Sequence, residues 1–215
     1  RETGTHATWL HDALEARGHE GIGAAARRLR AISDGDRKDD RKDAETLARL
    51  GRSDTRLLSP VDPRTPEARK DLEVLRARGK LVVIRTMMVN HIRGVIKSFG
   101  LRMPDCGAER LHKHALPPEL SNELATMMVL LKSTSAAIDA YDTKIAELVE
   151  AKYPQTTVLK QVHGVGPITS LCFVLTVGDP GRFKDTRDVG PYLGMTPKKH
   201  QSGAKDPRLR ITKSG

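Results

Sequence analysis

With 215 residues the chain is long enough for one large domain or two small ones with a real buried core. Thirty-seven Lys and Arg against 27 Asp and Glu leave a formal charge of +10 and a pI near 9.8, which makes nucleic acid the first partner to consider. Only two cysteines occur, Cys106 and Cys172, without the CxxC spacing of a zinc site or the density of a disulfide framework. No apolar run approaches the ~18–20 residues of a bilayer span, so a reducing cytoplasm and no membrane partner are expected.

Residues 5–18 read as an amphipathic helix, with Trp9, Leu10, Ala13 and Leu14 on one face and Gly18 as its stop. His19 to Ala24 follows as a short strand. After the polar stretch Ser33-Asp34-Gly35-Asp36, Ala44, Leu47 and Ala48 recur at helical spacing. That puts Asp39, Asp40 and Asp43 near a helix start, where negative side chains suit the helix dipole. Ser59 to Pro66 holds three prolines and reads as a connector at a module boundary.

Beyond it, Leu72, Leu75, Val82, Val89, Ile92, Ile96 and Phe99 describe one long helix ending at Gly100. Leu120, Leu124, Met127, Leu131, Ile138, Tyr141, Ile145 and Leu148 describe a second, from about Pro118 to Lys152. The pair forms an antiparallel hairpin, an intermolecular coiled coil, or an ordinary bundle core; Gly79 and Lys132 to Ser135 interrupt the heptad. From Thr157 onward short apolar segments and glycines lead into a basic tail. Arg182 to Lys213 carries nine Lys and Arg against three Asp, so positive charge concentrates at this end.

Three groups carry candidate chemistry. Val162-His163-Gly164-Val165-Gly166-Pro167 has the form of a helix-hairpin-helix turn, in which Gly164 and Gly166 allow outward backbone amides beside a helix N-terminus. It is a phosphate cradle without base readout, or else a turn joining two packed helices. Asp40 and Asp43, three residues apart on one helix face, suit a hard cation such as magnesium. The competing account is a solvated face paired with Arg41 and Lys42. Ser202, beside Gly203 in Pro197-Lys198-Lys199-His200-Gln201-Ser202-Gly203, is a nucleophile ringed by cations or a plain turn residue.

Taken together these segments resemble the IS-one-ten family of bacterial insertion-sequence transposases, also described as DEDD transposases and as bridge-RNA-guided recombinases. The likeness is collinear over nearly the whole chain. It runs through Glu2-Thr3-Gly4-Thr5-His6, Gly18-His19-Glu20 and Arg37 to Glu45, then Asn90-His91-Ile92-Arg93-Gly94 and Lys97-Ser98-Phe99-Gly100. It continues in the glycine turn, Gly178 to Phe183, Tyr192 to Pro197, Gln201-Ser202-Gly203 and Leu209 to Gly215.

The resemblance implies a mostly α chain with a partial α/β part. The parts would be the remnant of a RuvC-like, RNase-H-fold DEDD domain over 1–62, a long helical coiled-coil region over 63–153, and a small helical C-terminal transposase domain over 154–215. It further implies Glu2, Asp40 and Asp43 as metal-binding acids of a tetrad, magnesium as cofactor, and Ser202 as the residue that attacks DNA. Lys198, Lys199, Lys205, Arg208, Arg210 and Lys213 would hold the DNA backbone together with Gly164 and Gly166. DNA and a structured guide RNA are the implied partners. A dimer or tetramer through the coiled-coil region is implied too, in a cytoplasmic bacterial protein that joins the nucleoid when bound to DNA.

Two departures accompany the likeness. The first acid of the tetrad, expected upstream of Glu2, has no counterpart, the chain lacks an initiator Met, and it ends at Lys213-Ser214-Gly215 where a further helix is expected. A fragment truncated at both ends, inactive alone, is therefore expected. His163 stands where a small residue or proline is more usual. Rival readings are a non-catalytic helix-hairpin-helix DNA-binding protein, a metal-only resolvase that uses water, and an inactive transposase remnant.

Overall fold

The computed structural model describes residues 6–24, 39–58, 60, 64–198, 200–203, 205–207 and 209–211. Its contacts divide the chain into two units, 1–65 and 66–215. Glu2, Lys199, Arg208 and Lys213 lie outside the described residues.

Among the described residues of the first unit, α1 (Ala7–Glu15) and α2 (Asp40–Ser53) are the α-helices. α1 ends as expected, with Gly18 at φ +79° and its amide bonded to the Glu15 carbonyl. Its buried face is not the expected one. Trp9 and Leu10 are exposed and His11 is the buried residue, its Nε2 3.1 Å from the Gly21 carbonyl. Gly21 is what allows this approach, since a Cβ there would sit 3.0 Å from the imidazole. The apolar pattern was misleading because so short a helix can bury an aromatic-sized polar ring against bare backbone instead of its largest hydrophobes.

The strand expected over His19 to Ala24 is also absent: among these residues only Ala24 pairs, in an isolated antiparallel bridge with Pro60. Proline has no amide to extend such a ladder. A small cluster of Ala24, Leu58, Ile22, Leu47 and Leu50 holds this unit together. Among the described residues the partial α/β character expected here is reduced to that bridge.

The second unit is built on α3 (Pro66–Ser98) and α4 (Ser121–Lys152), two long helices paired antiparallel within the chain. Leu75, Val82, Val89 and Ile96 recur every seven residues on α3, as do Leu124, Leu131, Ile138 and Ile145 on α4. Such a seven-residue repeat keeps one seam facing a partner helix. Phe99, assigned to this seam by its spacing, is exposed beyond the helix end.

Apolar side chains gather at both ends of the hairpin. Near the connection lie Val89, Ile92, Ile96, Leu120, Leu124 and Leu131, closed by Leu111 from the loop. At the open end lie Leu72, Leu75, Ile145 and Val149, joined by Leu171 and Leu175 of α6 (Pro167–Val177). Each fully buried Leu or Ile contributes about 1.5–3 kcal/mol from leaving water.

Polar contacts fix the register of the open half. Arg78 grips Asp142 with both Nε and Nη2, at 2.7 and 3.2 Å. Nearer the end, the buried Asp71 accepts from the Tyr153 hydroxyl at 2.8 Å and lies 3.3 Å from the Lys152 ammonium. Burial of the Tyr153 phenol, with the adjoining Asp71 carboxylate, pushes its pKa up to about 12.

After α4 come α5 (Thr156–Leu159), α6, and α7 (Val189–Tyr192). From Pro197 the backbone turns into a two-legged ribbon rather than more helix. No helix among the described residues is long and apolar enough to cross a membrane.

Candidate nucleic-acid and catalytic site

Asp39 sets the carboxylates in place. Its side chain accepts the Arg41 amide at 3.0 Å while its carbonyl receives the Asp43 amide at 3.0 Å, so the chain enters α2 as a capped helix. Asp40 and Asp43 then both fall in the first turn, as expected, with Asp40 exposed and Asp43 half-buried. Among the described residues neither forms an ion pair, with Arg41, Lys42 or any other cation. Two unpaired carboxylates on one helical turn offer the hard oxygen donors a divalent cation takes, and so fit part of such a site. No cluster of three or more His, Cys, Asp or Glu suited to a metal occurs among the described residues.

In the second unit the glycine turn is built by α5, a bend and α6. The Val165 amide bonds to the Val162 carbonyl at 3.0 Å, with Gly164 between them at φ +83°, a conformation that side chains resist. Gly166 precedes α6 in extended backbone, and Pro167 occupies the first helical position, where its lack of an amide costs nothing. Among the described residues the amides of Gly164 and Gly166 donate to no group of the chain. Ser170, fully buried, returns its hydroxyl to the Gly166 and Pro167 carbonyls at 3.0 and 3.1 Å, anchoring the first turn of α6. The turn thus presents two amides, on exposed Gly164 and half-buried Gly166, beside a helix start anchored by Ser170.

Ser202 lies at the end of the ribbon. Its amide and carbonyl exchange hydrogen bonds with those of Lys205, both at 3.1 Å, and Gly203 makes the turn at φ +56°. Further back, Pro197 bridges to Ile211 and the Lys198 amide donates to the Arg210 carbonyl at 3.1 Å. The structure therefore brings Lys205 beside Ser202 and Lys198 beside Arg210. All four side chains are exposed, and the Ser202 hydroxyl has no hydrogen-bond partner among the described residues. A phosphate approaching this end would meet a free hydroxyl with a cation across the turn.

One feature beside the ribbon escaped the sequence. Arg182 stacks on two rings, its guanidinium carbon 4.6 Å from the centre of Tyr192 and 5.3 Å from that of Phe183. Tyr192 in turn donates its hydroxyl to the Thr176 carbonyl of α6 at 3.1 Å. Asp179 accepts the Gly181 amide at 2.9 Å to start this segment. The signal was Asp179-Pro180-Gly181, a turn sequence placing the next two residues together. The ribbon had its own signal in Leu209-Arg210-Ile211, which alternates with period two.

Residues 2–100 match a model of DEDD-type IS110 transposases, and residues 156–215 match the one described as the transposase IS116/IS110/IS902 family. The chain belongs to the IS116/IS110/IS902 transposase family. This family member is 30% identical over 189 residues to the transposase for insertion sequence element IS1111A of Coxiella burnetii, an alignment covering 83% of this chain and 50% of that protein. It is 28% identical to a putative transposase of Sinorhizobium fredii, over 83% of this chain and 47% of the relative. It is 26% identical to a probable family 20 transposase of Pseudomonas aeruginosa, over 83% and 55% respectively. The chain thus spans about half the length of these relatives. Asp40 and Asp43 lie in the part matched by the first model, and Gly164, Gly166 and Ser202 in the part matched by the second.

Proposed function

We propose that this chain is part of an enzyme that moves an insertion sequence by cutting and rejoining DNA. The observation that carries this reading is the double family match over 2–100 and 156–215, in relatives named as transposases. Asp40 and Asp43, with Glu2, would hold a divalent cation, magnesium by the hardness of their oxygens. Once bound, the cation supplies Lewis-acid stabilisation of charge on the attacked phosphate.

The nucleophile in this proposal is the Ser202 Oγ. It attacks phosphorus, an Oγ–P bond forms, the bond from phosphorus to one sugar oxygen breaks, and that oxygen takes up the proton as the strand is released. One phosphoester replaces another, so no external energy source is needed, and the same steps reversed rejoin a strand. Lys198, Lys199, Lys205, Arg208, Arg210 and Lys213 would position the backbone, with the amides of Gly164 and Gly166 as an uncharged phosphate contact in a helix-hairpin-helix manner.

A structured RNA would specify the target, leaving the protein to read shape and phosphate. A dimer or tetramer through the helical region is supported by apolar side chains left exposed on the hairpin, Val83, Ile84 and Met87 on α3 and Val129 and Leu130 on α4. The protein would lie in the cytoplasm, on the nucleoid when it holds DNA, a reading supported by bacterial relatives named as transposases.

The test uses the full-length protein. Ser202→Ala is expected to bind DNA and RNA as before but to leave no covalent protein–DNA adduct on a denaturing gel. An adduct that persists in this variant removes Ser202 as the nucleophile.

A further inference from the structure

The connection between α3 and α4 holds a cavity that none of this chemistry uses. It encloses about 580 Å³ between the last turns of α3 and the loop that follows, with Arg93, Lys97, Gly100 and residues 101–105 as its walls. Three of these residues, Arg93, Lys97 and Gly100, belong to Asn90-His91-Ile92-Arg93-Gly94 and Lys97-Ser98-Phe99-Gly100, blocks to which the proposed reaction assigns no task.

The cavity is strongly cationic. Arg93 and Lys97 stand one turn apart on α3, and Arg102 faces the same space from the loop. Against these three cations stands a single carboxylate, Asp105, a local balance of +3 and −1. Arg93 is held in place, its Nη2 donating to the Cys106 carbonyl at 2.5 Å with the Cys106 sulfur at 3.7 Å. Among the described residues Lys97, Arg102 and Asp105 enter no ion pair.

A helix C-terminus would ordinarily counter this charge with its free carbonyls. Here two of them are occupied. The Gly100 amide donates to the Lys97 carbonyl at 3.0 Å and the Leu101 amide to the Ile96 carbonyl at 3.1 Å, a Schellman closure. The closure turns through Gly100 at φ +74°, which also forms the rim of the cavity.

Part of the lining is apolar: Leu101 and Met103 pack against the hydrophobic cluster at this end of the hairpin, and Pro104 adds to them. A cavity of this size exceeds what a bare phosphate fills and falls within the ~300–1,000 Å³ of small-molecule sites. Cations and packed apolar residues in one lining match a nucleotide, which has an anionic end and a flat apolar one. A regular duplex keeps its bases stacked inside and cannot fill a recess of this kind, whereas an unpaired strand can place one nucleotide in it.

We infer that the hairpin tip is a separate nucleic-acid site that takes a nucleotide of an unpaired strand, its phosphate on Arg93, Lys97 and Arg102 and its base and sugar against Leu101, Met103 and Pro104. The inference rests on the reading that this chain handles nucleic acid, and it adds a contact apart from Ser202 and the glycine turn.

Fluorescence anisotropy with labelled single strands of about twenty nucleotides, DNA and RNA in separate arms and a duplex in a third, tests it over roughly 50 to 300 mM salt. The double variant Lys97→Gln with Arg102→Gln is expected to lower the slope of log affinity against log salt by up to about 0.7, the contribution of the one phosphate contact that the site makes to a single strand. That loss is expected with single strands and not with the duplex, and the arm that shows it identifies the strand as DNA or RNA. Asp105→Asn is expected to tighten single-strand binding by roughly two- to fivefold, the scale of one exposed charge interaction. A gain in one variant and a loss in the other is something misfolding cannot produce. Binding by the unaltered chain with slopes unchanged in both variants overturns the tip site alone, and an equal loss on duplex overturns the unpaired nucleotide. No binding by the unaltered chain in any arm overturns the broader nucleic-acid reading along with it.

Discussion

Between Pro66 and Lys152 the fold is held by side chains; between Pro197 and Ile211 it is held by backbone. The hairpin buries Ile92, Ile96, Leu131, Ile138 and Ile145 almost completely and ties its register with Arg78–Asp142 and the Asp71 network. The ribbon leaves Leu209 and Ile211 exposed and rests on three backbone hydrogen bonds among the described residues, two at Ser202–Lys205 and one from Lys198 to Arg210. Stability and candidate chemistry are thus placed in different kinds of structure. An element held only by its own backbone opens at little cost, which suits the proposed attack of Ser202 on a phosphate.

The largest test of this contrast is Leu131→Ala. Removing a fully buried side chain from the hairpin is expected to cost about 2–5 kcal/mol in urea denaturation, while Ile211→Ala on the ribbon is expected to stay within about 0.5 kcal/mol. Similar losses at the two sites would break the contrast.

A second test works through pH. Tyr153 has its pKa raised from 10.0 to about 12 in the folded chain, so its neutral form is the one folding favours. The stability it gives is complete below pH 10 and is lost as pH climbs from there towards 12. The urea midpoint is therefore expected to fall across that alkaline window, and Tyr153→Phe, which cannot ionise, to remove this part of the fall.

The smallest effect is expected at the ribbon. Gly203→Ala forces a side chain into φ +56°, at a cost of about 1 kcal/mol. Amide exchange at Ser202 and Lys205 should speed up about fivefold while the melting temperature of the unit does not move. A falling melting temperature would show that the ribbon shares the cooperative core.

The same contrast explains what the sequence could and could not reveal. Leu75, Val89 and Ile96, with Leu124, Leu131 and Ile145, repeat at helical spacing because every turn of a long packed helix needs a buried residue, so both helices were legible almost to their ends. The helix start near Asp39, Asp40 and Asp43 was legible for a related reason, since it rests on local sequence, although the cap that Asp39 makes was not read from it. The buried face of α1 was not, since His11 is buried by an approach to Gly21 ten residues away. Nor was the stacking of Arg182 on Tyr192, which depends on how the chain folds back onto α6. The tip cavity was invisible too, because Arg93 and Arg102 are nine residues apart and only the closure at Gly100 turns them to one space. For the candidate site, residue types and order could be read, while the ribbon that presents Ser202 arises from backbone pairing that leaves only a faint period-two trace.

The hairpin also behaves as a ruler. From Leu75, where α6 docks, to Lys97 at the tip, α3 advances 22 residues, or about 33 Å at roughly 1.5 Å per residue. A paired set of helices barely shortens or stretches, so the hairpin holds its open end and its tip at a fixed separation.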